Sequence, residues 1–166
     1  MKIMKTIIEK IDKNQKNADI IREAGRILKE GGLVAFPTET VYGLGADALN
    51  EDAAKKIYAA KGRPSDNPLI IHITNMKALD KIVSEVPEKA VKVAEKYWPG
   101  PLTMIFQKTE EVPYETTGGL DTVAVRMPSD EIARALIDAG GGYIAAPSAN
   151  TSGRPSPTKA EHVEVH

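Results

Sequence analysis

Residues 61–73 read KGRPSDNPLIIHI, placing two cations, Lys61 and Arg63, one residue apart, with Pro64 and Pro68 stiffening the backbone around Ser65, Asp66 and Asn67. A proline fixes its own φ and restricts the residue before it, so these three polar side chains are presented with little freedom. Cations held in this way suit an anion, above all a phosphate, for which Arg offers a planar fork and Lys a point charge. They also fall where a helix should end, and there they would compensate the helix dipole.

Three further segments carry polar residues that a core does not need. In FPTETVYGLGADA, Thr38, Glu39 and Thr40 follow Pro37, while Gly43 and Gly45 allow either a tight turn or the close approach of backbone to a ligand. The segment has neither the GxxxxGKS/T order of a P-loop nor the GxGxxG of a dinucleotide fold. In DTVAVRMP, Thr122 and Arg126 share one strand face and Val123 and Val125 take the other. An arginine on such a strand requires an anion or a partly buried salt bridge. AAPSANTSGRPSPT holds Ser148, Asn150, Ser152 and Ser156, which either bond their own turns or meet a ligand. His72 stands inside the aliphatic run PLIIHI, either satisfied by its strand neighbours or acting as a ligand.

The elements that must position these groups are read from periodicity. TIIEKI has a strand-like core. ADIIREAGRILKEGG repeats apolar residues at Ile20, Ile21, Ala24, Ile27 and Leu28, a helix face stopped by Gly31 and Gly32. LVAF reads as a strand ended by Pro37, and NEDAAKKIYAAKG as a helix capped by Asn50 with a glycine after its end. PLIIHI is a strand. NMKALDKIVS and PEKAVKVAEKYW come next as helices, the second with Pro87 in its first turn. PLTMIFQ and DTVAVRMP are strands, SDEIARALIDAG is a helix and YIAA a final strand. This order predicts an α/β fold, an open twisted mixed sheet flanked by helices. The four polar segments are expected outside the carboxyl ends of the strands, where open α/β sheets bind ligands, and to form a concave cationic groove.

Bulk properties narrow the class. With 166 residues, 42% of them hydrophobic, the chain has the size of one domain and material for a core. A formal net charge of -1 excludes a polycation, so an anion site must come from local cations. The absence of cysteine excludes a disulfide framework, thiolate catalysis and a cysteine zinc site, and fits a reducing compartment. No apolar run approaches the roughly 20 residues of a membrane helix, and MKIMKTIIEKIDKN is too polar for a secretory signal. A soluble, cytoplasmic protein with no membrane partner is expected.

PTETVYGLG, KGRPSDNPLIIHI and PSANTSG resemble the signature segments of the YrdC-like family, the threonylcarbamoyl-AMP synthases of tRNA threonylcarbamoyladenosine biosynthesis. The likeness runs from about the first helix to the end of the chain. It implies a nucleotidyltransferase that uses ATP, L-threonine and bicarbonate or carbon dioxide, with Mg²⁺ accompanying the triphosphate, and that hands its product to tRNA or to tRNA-modification proteins. Carried over residue by residue, it puts Thr40, His72, Arg126 and the backbone near Ala146 around threonine. Arg63, Asn67, Thr122, Ser148 and Ser156 then face ATP, with Lys61 and Asn150 completing a paired motif and Lys61 and Arg63 serving catalysis. The family's domain continues for several more elements, and many members add a second domain. Residues 1–166 are therefore expected to form a single YrdC-like domain lacking its C-terminal part. Two alternatives stay open: an RNA-binding module on the same cationic surface, and a carbamoyl-adenylate-forming module of a larger maturation enzyme. Against the first, only two Phe and one Trp are available for base stacking. The second lacks its expected zinc-finger and acylphosphatase-like neighbours.

Overall fold

The computed structural model of the chain describes residues 18–37, 42–62 and 67–147, without the side chains of Pro37, Tyr42 and Lys61. Helix α1 spans Ala18–Lys29 and buries Gly25 and Leu28. β1 spans Val34–Pro37 and β2 spans Tyr42–Asp47. Helix α2 spans Glu51–Lys61 and begins as the sequence predicts, with the Asn50 side chain accepting from the Ala53 N–H at 3.1 Å. Such a cap is worth about 1 kcal/mol. β3 spans Ile70–His72. The expected helix after it is divided into a 3₁₀ turn, Met76–Ala78, and the short α3, Leu79–Ile82. Helix α4 covers Glu88–Tyr97, with Pro87 at its N-cap rather than within its first turn. β4 is Thr103–Gln107, the short α5 Tyr114–Thr117, β5 Thr122–Arg126, α6 Glu131–Ala139 and β6 Ile144–Ala146. The TIIEKI segment lies outside the described residues.

Tyr42–Asp47, expected as part of a glycine loop, is instead a strand, antiparallel to β1 with Phe36 opposite Gly43 and Val34 opposite Gly45. Packing explains the glycines. A Cβ at Gly45 would come within 2.7 Å of the Phe36 ring and 2.8 Å of Ile144. They let the sheet close over a phenylalanine, and a ligand is not needed to account for them.

Among the described residues the strands form one six-stranded sheet in the order β1-β2-β6-β3-β5-β4, with β3 and β5 parallel and the other neighbours antiparallel. One face carries Ile71, Val123, Val125 and Ala145 and packs on Ile57 and Tyr58 of α2, Leu79 and Ile82 of α3 and Ala94 of α4. Each fully buried aliphatic side chain there contributes about 1.5 to 3 kcal/mol. On the other face Phe36, Ile144 and Ala146 pack on Leu28 of α1 and Ala133, Leu136 and Ile137 of α6. Gly25 brings these two helices together, since a Cβ there would meet the Ala139 carbonyl oxygen at 2.5 Å. Toward β5 and β4 this second face is open among the described residues, and Ile105 is 70% exposed.

The mixed sheet also overturns the expectation that all four polar segments leave strand carboxyl ends. β2 opens at Tyr42, Asn67 precedes β3, Thr122 opens β5 and Pro147 follows β6. Because β6 runs antiparallel to β3, with Ile70 opposite Ala146, these four positions share one end of the sheet, the amino end of β3. The segment after β5 lies at the opposite end. KGRPSDNP precedes a strand instead of following one, which linear order alone makes plain.

Candidate active site

His72 and Arg126 are opposite each other on the parallel strands β3 and β5. Side chains alternate along a strand, so His72, Ile70, Arg126, Ala124 and Thr122 share a face, and the pairings of Ile144 with His72 and Ala146 with Ile70 add β6 to it. This is the face left open toward β4.

His72 is 4% exposed and stands edge-on to Phe36, ring centroids 6.0 Å apart. Its Nδ1 lies 3.1 Å from the Ile70 carbonyl oxygen and 3.3 Å from that of Ile144. Both partners are acceptors, so Nδ1 carries the proton and Nε2 is the lone-pair nitrogen. Burial pushes the imidazole down to about 4, partly opposed by the two carbonyls, so it is neutral at pH 7. A neutral imidazole of this tautomer accepts a hydrogen bond from a ligand's N–H or O–H.

Arg126, 8% exposed, donates from Nε to the Gly100 carbonyl oxygen at 3.2 Å. The Gly100 N–H donates in turn to the Met127 carbonyl oxygen at 2.8 Å, and the Ile73 N–H to that of Arg126 at 3.0 Å. The WPGP turn thus holds the Arg126 side chain, and the end of β3 holds its backbone. Burial lowers its pKa from the ordinary value, yet an arginine stays charged in a protein. In the sequence Pro99 and Gly100 mark a turn, with no sign that the turn grips Arg126, because the contact joins residues 26 positions apart.

Asn67 and Thr122 are half-buried at the amino end of β3 and β5. Thr122 is four residues along β5 from Arg126, roughly 13 Å at the usual strand rise. The described residues expected to touch threonine, His72, Arg126 and Ala146, therefore lie along adjacent strands, while those expected to touch ATP, Asn67 and Thr122, lie at one sheet end. Thr40, Arg63, Ser148, Asn150 and Ser156 are outside the described residues, and Lys61 is described only in its backbone, as the last residue of α2. Of the cations expected in the groove, the described face supplies Arg126. No described helix is long and apolar enough to cross a membrane.

An open mixed sheet, helix-covered on one face and part-covered on the other, with a buried histidine and arginine paired across adjacent strands, defines an open-sheet α/β domain. The chain belongs to the Sua5/YciO/YrdC family, described as "Telomere recombination", which it matches over residues 26–166. It is 61% identical over 143 residues to a threonylcarbamoyl-AMP synthase of Pyrococcus abyssi and 52% identical over 164 residues to one of Bacillus subtilis. These alignments cover 86% and 98% of this chain, which spans only 42% and 47% of the relatives' lengths. The solved structure of P. abyssi Sua5 complexed with L-threonine is similar to it with a TM-score of 0.83 at 60% identity, over 86% of this chain and 42% of that one.

Proposed function

We propose that this chain is the synthase domain of an L-threonylcarbamoyladenylate synthase, which makes threonylcarbamoyl-AMP and pyrophosphate from ATP, L-threonine and bicarbonate or carbon dioxide for tRNA modification. The observation that carries this reading is the cross-strand pairing of His72 with Arg126 in a chain 60% identical to a protein solved with L-threonine. The threonine amine attacks carbon dioxide and loses a proton, giving a carbamate. A carbamate oxygen then attacks the α-phosphorus of ATP, and the bond to the β-phosphate oxygen breaks as pyrophosphate leaves with the electron pair. No protein nucleophile takes part. The protein's work is to align two anions that repel each other and to set positive charge where the phosphoryl oxygens crowd.

Arg126 receives the threonine carboxylate, the one anionic group of that substrate the reaction does not consume. His72, with its Nε2 lone pair, reads the amine or hydroxyl, and Thr40 and the backbone at Ala146 complete that pocket. Lys61 and Arg63 meet the phosphates, and Asn67, Thr122, Ser148, Asn150 and Ser156 hold the nucleotide. Mg²⁺ would arrive with ATP, held on phosphate oxygens and water.

The test is mass spectrometry of products formed by the full chain with ATP, labelled bicarbonate and each amino acid in turn. Labelled threonylcarbamoyl-AMP should appear with an equal amount of pyrophosphate, and with threonine above all others. Arg126→Ala should raise KM for threonine, and Arg63→Ala KM for ATP, with Arg63→Lys rescuing only in part because it loses the planar fork. ATP binding without adenylate from any amino acid would overturn the reading and favour an RNA-binding module.

A further inference from the structure

The turn at residues 98–101 serves Arg126 twice. Its Gly100 carbonyl oxygen accepts from the Arg126 Nε at 3.2 Å. The buried Trp98 indole donates from Nε1 to the Leu102 carbonyl oxygen at 2.8 Å, which fixes the chain as it enters β4 at Thr103. Thr103 then stands directly opposite Arg126 on the antiparallel β4. Because His72 is opposite Arg126 on β3, the side chains of His72, Arg126 and Thr103 form one row on one face, across three adjacent strands. Directly opposite neighbours of this kind have Cβ atoms about 4.5 to 5.5 Å apart. Thr103 is exposed, and among the described residues its hydroxyl has no hydrogen-bond partner.

The two neighbours of Arg126 in this row differ in what they can give an anion. His72 has its one proton at Nδ1, facing two carbonyl oxygens, and only a lone pair at Nε2, which repels a carboxylate. The Thr103 hydroxyl has a proton to donate. A carboxylate offers about four lone-pair sites, more than one guanidinium fills. We propose that Thr103 is a further substrate-binding residue of the amino-acid pocket, its hydroxyl donating to the carboxylate that Arg126 receives. The carboxylate is then set toward β4, and the substrate's N–H and O–H groups toward His72. The identity of the amino acid rests on the synthase reading, and the row rests on strand register alone.

Thr103→Val keeps the β-branched shape that suits a strand and removes the donor. In the full chain, the calorimetric Kd for L-threonine should rise about 10- to 150-fold, the range a hydrogen bond to a charged group covers, while the Kd for ATP stays at the wild-type value. Thr103→Ser, which restores the hydroxyl, should recover most of the loss. L-Threoninol, which lacks the carboxylate, should bind Thr103→Val and the wild type equally weakly. If Thr103→Val does not fold, Thr103→Ala takes its place in the comparison with Thr103→Ser. Wild-type affinity for L-threonine in the variant without the hydroxyl would overturn the proposal. So would an equal loss for L-threonine and L-threoninol, which would give the hydroxyl a role away from the carboxylate. A wild type that binds ATP but no L-threonine would overturn the proposal through the synthase reading, a failure seen before any substitution is made.

Discussion

At His72 two carbonyl oxygens on one ring nitrogen decide the tautomer, and burial decides the charge against their pull. Its folded pKa, about 4, lies below the ordinary value of 6.5 because the ring is buried. The unfolded chain therefore binds the extra proton first, and stability is fully present above about pH 6.5 and lost as pH falls toward 4. Thermal melts across that window should show a falling midpoint, and His72→Asn, which retains a donor near Nδ1, should flatten the curve. Parallel slopes in the two proteins would show that other groups carry the effect. The sequence allowed His72 to be either a satisfied strand residue or a ligand. The geometry satisfies it at Nδ1 by its strand neighbours, and the ligand role of Nε2 belongs to the proposed function.

At the level of elements, β2 departs furthest from local rules. Val41 to Asp47 alternates poorly and carries two glycines, so it reads as a turn, yet the glycines are the space into which Phe36 and Ile144 pack. Gly45→Ala should destabilise the fold by about 1 to 3 kcal/mol through overpacking, measured as a lower urea midpoint at unchanged slope. Phe36→Leu in the same chain should restore part of the loss. A neutral Gly45→Ala would mean that the ring yields freely. α2 behaves in the opposite way: its cap, its acidic first turn and its closing glycine are all local, and all are read from sequence.

Across the whole molecule, the two core clusters lie on opposite faces of one sheet, so a ligand on the open face stabilises both. ATP at 100 times its Kd adds about 2.7 kcal/mol, which should raise Tm by about 5 to 10 °C for a domain of this size. L-threonine should also raise it, while single-stranded RNA at the same phosphate concentration should not, given a net charge of -1 and few aromatics. An RNA-dependent shift without one from ATP would reverse the functional reading.

Local rules determined most elements, because caps, stop glycines and apolar periods act within a few residues: Asn50 before α2, the apolar stripe of α1, the alternation of Thr122 to Arg126. The signature segments gave the family. Only the tertiary structure decided which ends of the strands meet. Strand direction depends on pairings between distant residues, such as Ile70 with Ala146, and no spacing in the chain encodes them. Pairing of the same kind set His72 beside Arg126, residues that sequence order keeps far apart.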